Sequence, residues 1–166
     1  LKNLGKLKEA ENAYRKAIQI NPKFTSAHSN LGIILKDLER PKEAFNSYLK
    51  VIEINPKFSN VYHSISILLK SSDLSNFNKS KLKNVLNILL ERNDIRHNIL
   101  FNTLYYLYNK ELLINLKELE LNFFTKESFK IFTNKKLIIN SLKKIIFRDY
   151  QMEKILTKIR KIICHK

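Results

Sequence analysis

KEAENAYRKAIQINPKF (Lys8–Phe24) returns 34 residues later as KEAFNSYLKVIEINPKF (Lys42–Phe58), with 12 of 17 positions identical. Chance does not give such a match, so the chain contains a duplicated structural unit. Both copies end on INPKF. Proline lacks the N–H that a helix interior needs and biases the residue before it away from helical geometry. The Asn-Pro pair therefore stops a helix once per interval, and the next helix can begin at once.

The stretch between the two stops, Thr25–Phe58, reads as a helical hairpin. In TSAHSNLGIILKDLE, Ala27, Leu31, Ile34 and Leu38 fall at helical spacing. Thr25 or Ser26 is expected to cap this helix with a side-chain oxygen. Gly32 sits in its middle, where glycine costs about 1 kcal/mol relative to alanine; a neighbouring helix at close range would justify it. The second half, PKEAFNSYLKVIEI, opens on Pro41, which suits a first helical turn. Ala44, Tyr48, Val51 and Ile52 form its expected inner stripe. One such hairpin cannot cover its own apolar face, but stacked hairpins can, which predicts a solenoid.

These residues resemble the tetratricopeptide repeat (TPR) family. Leu31-Gly32, Ala44, Tyr48 and Pro56 stand where that family places its Leu-Gly pair, small alanine, aromatic and helix-ending proline; Leu4-Gly5, Ala10, Tyr14, Ala17 and Pro22 match the second half of an earlier repeat. Leu1 falls within the first helix of that repeat, so the chain reads as a piece of a longer protein. From Ser59, Val61, Tyr62, Ile65 and Leu69 continue the first-helix pattern with Ser66 in place of the glycine. SSDLSNFNK then breaks the phase, and a helix near Lys79–Arg92 carries Leu82, Val85, Leu86 and Leu89 without the alanine or proline. The expected organisation is a TPR array over 1–92 (a partial repeat 1–24, a full repeat 25–58, a degenerate repeat 59–92) followed by a divergent helical region over 93–166. The expected fold class is all-α, a TPR-like helical-hairpin solenoid with a divergent helical C-terminal half. Further helices are expected near Ile95–Tyr108, Lys110–Asn122, Lys126–Thr133, Lys135–Phe147 and Tyr150–Ile163, with Asn134 and Asp149 as N-caps. In the last, Met152, Ile155, Leu156, Ile159 and Ile163 share a face that could pack on the preceding helix, on a further domain or at a membrane surface, packing within the protein being the favoured reading.

Composition agrees with helices. Two glycines and three prolines in 166 residues are too few for a turn-rich β fold. The net charge is +16, but Lys outnumbers Arg 25 to 6. Nucleic-acid sites favour arginine for bidentate contacts, so the basic excess reads as compositional drift and argues against nucleic acid as the partner. Phe101, Tyr105, Tyr106 and Tyr108 could stack bases, but with Leu104 their spacing is that of a core stripe. No apolar run is long enough to span a bilayer. The single cysteine, Cys164, rules out an internal disulfide framework and fits a reducing, cytoplasmic setting.

Little in the sequence carries chemistry. No glycine follows Gly32, so the remaining residues hold no phosphate-cradling loop and no cofactor is expected. The histidines are His28, His63, His97 and His165, and no second His, Cys or carboxylate sits at metal-ligand spacing beside His28 or His63. His28 and His63 fall in first helices of successive repeats and could line one surface. Cys164-His165, at the chain end, lacks the positioned base a nucleophile requires. Glu118 and Glu120, two apart, face different ways on a helix. No enzyme activity is expected of this chain.

The TPR resemblance implies a peptide groove on the concave face, lined by first helices. Asn30 matches an asparagine that forms a ladder in the TPRs of protein O-glycosyltransferases, where it grips a peptide backbone; an amide both donates and accepts. Ser26, Ser29, Ile33 and Lys36 are its expected neighbours, with Asn60, His63 and Ile67 following in the next repeat. Ser64 stands where a second ladder asparagine would be. The implied function is a non-catalytic scaffold binding a protein or peptide; nothing in the sequence sets an oligomeric state. Two alternatives stay open. RDYQMEKILTKIRK (Arg148–Lys161) is similar to a segment that precedes a methyltransferase-like domain in bacterial TPR proteins, which would make the chain the substrate-orienting front of a methyltransferase or glycosyltransferase. The basic C-terminal half could also bind nucleic acid.

Overall fold

The computed structural model describes residues 2–100, 102–104 and 106–107. Among them every regular element is helical: α1 (Lys2–Ile20), α2 (Thr25–Asp37), α3 (Pro41–Ile54), α4 (Ser59–Ser71), α5 (Lys79–Glu91) and a 3₁₀ turn at His97–Leu100. The chain divides into two compact units between Phe77 and Asn78. The helices expected beyond Tyr108, their caps and the RDYQMEKILTKIRK segment lie outside the described residues.

In the first unit α2 and α3 form the expected antiparallel hairpin. α1 packs on α2, α3 on α4, and the first helices α2 and α4 also meet. The two INPKF stops are built alike. The Asn21 and Asn55 side chains each accept the N–H two residues on, from Lys23 and Lys57, both at 3.1 Å. The Phe24 and Phe58 N–H groups then donate to the Asn21 and Asn55 carbonyls at 3.0 and 3.1 Å. Each turn is thus closed by an asparagine side chain and one backbone bond.

A second tie holds each stop to the helix after it. His28 Nε2 lies 2.9 Å from the Pro22 carbonyl, and the Tyr62 hydroxyl donates to the Pro56 carbonyl at 2.7 Å. Residues 28 and 62 are the same repeat position, so two different side chains do one job. His28 is accordingly buried, while His63, one position further along its own repeat, is exposed. The two histidines do not share a surface.

The cap expected at Thr25 or Ser26 is not made. Phe24 is the N-cap residue and no side chain caps the helix; Phe58 does the same for α4. The Asn-Pro turn already fixes the entry of the chain, with nearly equal angles at the two phenylalanines (φ −74°, ψ 88° and φ −74°, ψ 83°). α5, which has no such turn before it, is capped by Asn78, whose side chain accepts the Lys81 N–H at 3.0 Å.

The core of the hairpin is Ala27, Leu31, Leu35, Ala44, Phe45, Tyr48 and Val51, each at most 4% exposed. Leu35 takes the place expected for Ile34 and Leu38, and Phe45 joins the stripe where Ile52 is only half-buried. The stripe rotates because α2 faces both α1 and α3, so its buried arc is wider than one neighbour requires. Val61, Tyr62, Ile65 and Leu69 are all buried as expected. In the second unit so are Leu82, Val85, Leu86 and Leu89. The helix expected from Ile95 starts instead as the 3₁₀ turn, where His97 Nε2 meets the Arg92 carbonyl at 2.8 Å.

Two further details follow from the repeat. The α2–α3 turn is a Schellman motif: Arg40 N–H reaches the Leu35 carbonyl and Glu39 N–H the Lys36 carbonyl, at 2.9 and 3.0 Å. It requires left-handed backbone at Glu39, with φ 57°. The matching stretch of the earlier repeat makes no turn; α1 runs through Leu4-Gly5 without a break. Leu7 occupies the position of Pro41 there, so no proline enforces a fresh helix start.

Candidate peptide-binding face

The first helices α2 and α4 carry the residues singled out in the sequence. Ser26, Ile33, Asn60, His63 and Ile67 are exposed, and Asn30 is half-buried. Ile33 and Ile67, the same repeat position 34 residues apart, are 40% and 42% exposed. α2 and α4 meet, and these two aliphatic side chains occupy equivalent, exposed positions on them. Ser26 and Asn60, also equivalent, lie two turns toward the helix starts.

Two of the expected residues are placed differently from the rest. Ser29 is buried, at 8% exposure, so it contributes little to a surface. Lys36 is half-buried and its ammonium lies 3.3 Å from Asp37. Its repeat mate Lys70 is exposed.

Ser64, the position of the missing ladder asparagine, is spent internally. Its hydroxyl donates to the Asn60 carbonyl at 3.1 Å and lies close enough to the Tyr48 phenol to influence it. Tyr48 is 1% exposed. Burial pushes its phenol up to about 12, the Ser64 contact opposes this, and the Asp37 charge adds to it. The tyrosine therefore lies against Gly32 of its own hairpin and near Ser64 of the next first helix.

An ionic cluster ties α1 to the α2–α3 turn and had no counterpart in the sequence reading. Arg40 Nη1 lies 2.8 Å from both Glu11 oxygens, while its Nε and Nη2 engage Glu43 at 2.7 and 2.6 Å. Arg15 adds bonds to Glu11 at 2.9 Å and Glu43 at 3.3 Å. Burial raises the Glu11 carboxyl, but the hydrogen bonds from Arg15 and Arg40 together outweigh it and hold the group below its ordinary range. The Arg40 hydrogen bond lowers Glu43 as well. The signal was present in the repeat alignment: Glu11 occupies the position of Phe45, and an acid in a core-facing row requires a cation. Phe45 makes the corresponding contact one repeat later, edge-on to Phe77 at 5.3 Å.

Nothing among the described residues gathers three or more metal-ligating side chains. Among them too, no helix is long and apolar enough to cross a membrane.

The geometry is that of tandem helical hairpins, and the family comparison agrees. Residues 1–39 match a model described as TPR repeat, and residues 25–58 one described as tetratricopeptide repeat. Residues 1–58 thus match tetratricopeptide-repeat models. The crystal structure of MamA is similar over 99% of this chain and 95% of that chain, at 15% identity and a TM-score of 0.48. No curated protein matches the chain.

Proposed function

We propose that this chain is a non-catalytic scaffold that binds an extended segment of a partner protein across α2 and α4. The observation that carries the reading is the pair Ile33 and Ile67. Both remain about two-fifths exposed in helices whose other branched or long aliphatics are at least half-buried. An aliphatic side chain held in water at the same place in successive repeats gains from being covered, at about 25 cal/mol per Å². Around it Ser26, Asn30, Asn60 and His63 offer donors and acceptors for a ligand backbone. Lys36 stands half-buried beside this set, and Ser29 is buried.

The test is to pan a random-peptide display library on the protein and to map a selected peptide by amide chemical-shift changes. Shifts centred on Asn30, Ile33, Asn60 and Ile67 are expected. Shifts confined to other helices would reject this face as the binding surface.

A further inference from the structure

The second helices carry a cleft of their own. It runs between α1 and α3, and His28 and Leu31 of α2 also line it. Its two adjoining parts, of about 340 and 430 Å³, share Ile18, His28 and Lys50. The apolar lining comes from Ile18, Leu31 and Ile54; Lys23 and Lys50 bring cations to the rim beside Glu53, while Arg15, also at the rim, is already paired with Glu11 and Glu43. Lys23 has no acidic partner among the described residues. Lys50 is held only by Glu53 at 2.7 Å, an i,i+3 pair in which both side chains are more than half exposed. Such pairs contribute little and are readily exchanged.

His28 gives the cleft a defined polarity. Its Nε2 faces the Pro22 carbonyl at 2.9 Å, and a carbonyl only accepts, so Nε2 carries the proton. In the neutral ring Nδ1 is then an acceptor. His28 is 9% exposed and lines both parts of the cleft.

We propose that this cleft is a second docking site, distinct from the α2–α4 face, for an acidic segment of a partner protein with aliphatic side chains between its carboxylates. Aliphatic groups lie on Ile18, Leu31 and Ile54. Carboxylates sit between Lys23 and Lys50, and a ligand N–H donates to His28 Nδ1. The cationic rim favours acidic ligands over basic ones, and the attraction is screened by salt.

The probe is a fluorescein-labelled peptide alternating aspartate with leucine, followed by fluorescence anisotropy. Binding is expected, weakening with added salt and falling by about tenfold or more in K23E/K50E. His28→Tyr keeps the tie to the proline carbonyl, as Tyr62 does at the equivalent position, and removes the ring acceptor; it is expected to weaken binding while leaving Tm close to that of the parent. Ile33→Asp/Ile67→Asp is expected to leave it unchanged. Absence of binding, equal binding of a peptide with serine in place of aspartate, or loss of binding in the Ile33/Ile67 variant would each overturn the proposal. None of the first two outcomes touches the α2–α4 reading, and the third would favour it.

Discussion

The Tyr48 ring lies so close to Gly32 that a Cβ added at the glycine would fall 2.6 Å from ring Cδ1 and 2.8 Å from Cζ. Both residues are buried and the ring cannot swing into solvent. Alanine would gain about 1 kcal/mol of helix propensity, but overpacking of this kind costs typically 1–3 kcal/mol and more where the neighbour is rigid. Gly32→Ala is therefore expected to destabilise the protein by about 2 kcal/mol, measured by urea unfolding. Tyr48→Leu in the Gly32→Ala background is expected to recover part of the loss, because the smaller side chain frees the space.

Glu39 holds a left-handed conformation that costs an L-residue roughly 1–2 kcal/mol and a glycine almost nothing. Glycine is more flexible in the unfolded chain, which offsets part of the gain. Glu39→Gly is expected to stabilise by about 0.5–1 kcal/mol, read as a rise in Tm. Glu39→Val, branched at the same angle, is expected to lower it.

The Glu11 and Glu43 carboxyls are held below their ordinary range by Arg40 and Arg15. A carboxyl whose folded value is depressed contributes stability above its unfolded value and loses it as pH falls through the folded one. Stability is expected to be level near neutrality and to decline from about pH 4.5 downward. Glu11→Gln removes one of the titrating groups, so its unfolding free energy is expected to be lower at neutral pH and to approach that of the parent in acid. Equal pH slopes for the two proteins would show that the cluster is not what titrates.

Tyr48 gives the opposite sign at high pH. Its phenol is raised to about 12 by burial, so its contribution is complete below the unfolded value near 10 and is lost as pH rises through about 12. Tyr48→Phe is expected to unfold less steeply in alkali, followed by helical circular dichroism.

Much of this architecture was legible because the repeat fixes it. The Asn-Pro stops, the hairpin between them, the close approach at Gly32 and the cores of α4 and α5 all follow from spacing and from side-chain size. What was missed depends on how the elements meet rather than on spacing within one of them. Leu35 outranks Ile34 because α2 faces two helices at once. The phenylalanine N-caps replace Thr25 and Ser26 because the preceding turn already sets the entry angle. Glu11 and Arg40 find each other across 29 residues, a distance no local pattern encodes. The candidate residues show the same division: exposure of Ile33 and Ile67 follows from their place opposite the buried stripe, whereas the turn of the Ser64 hydroxyl to the Asn60 carbonyl was not legible.

The central claim is that α2 and α4 present one recognition surface through Ile33 and Ile67. Titration calorimetry of a display-selected peptide against the parent protein and the Ile33→Asp/Ile67→Asp variant tests it most directly. An affinity loss of at least tenfold, about 1.4 kcal/mol, is expected, with Tm changed little because both side chains are exposed. An unchanged Kd in a variant that remains fully folded would contradict it.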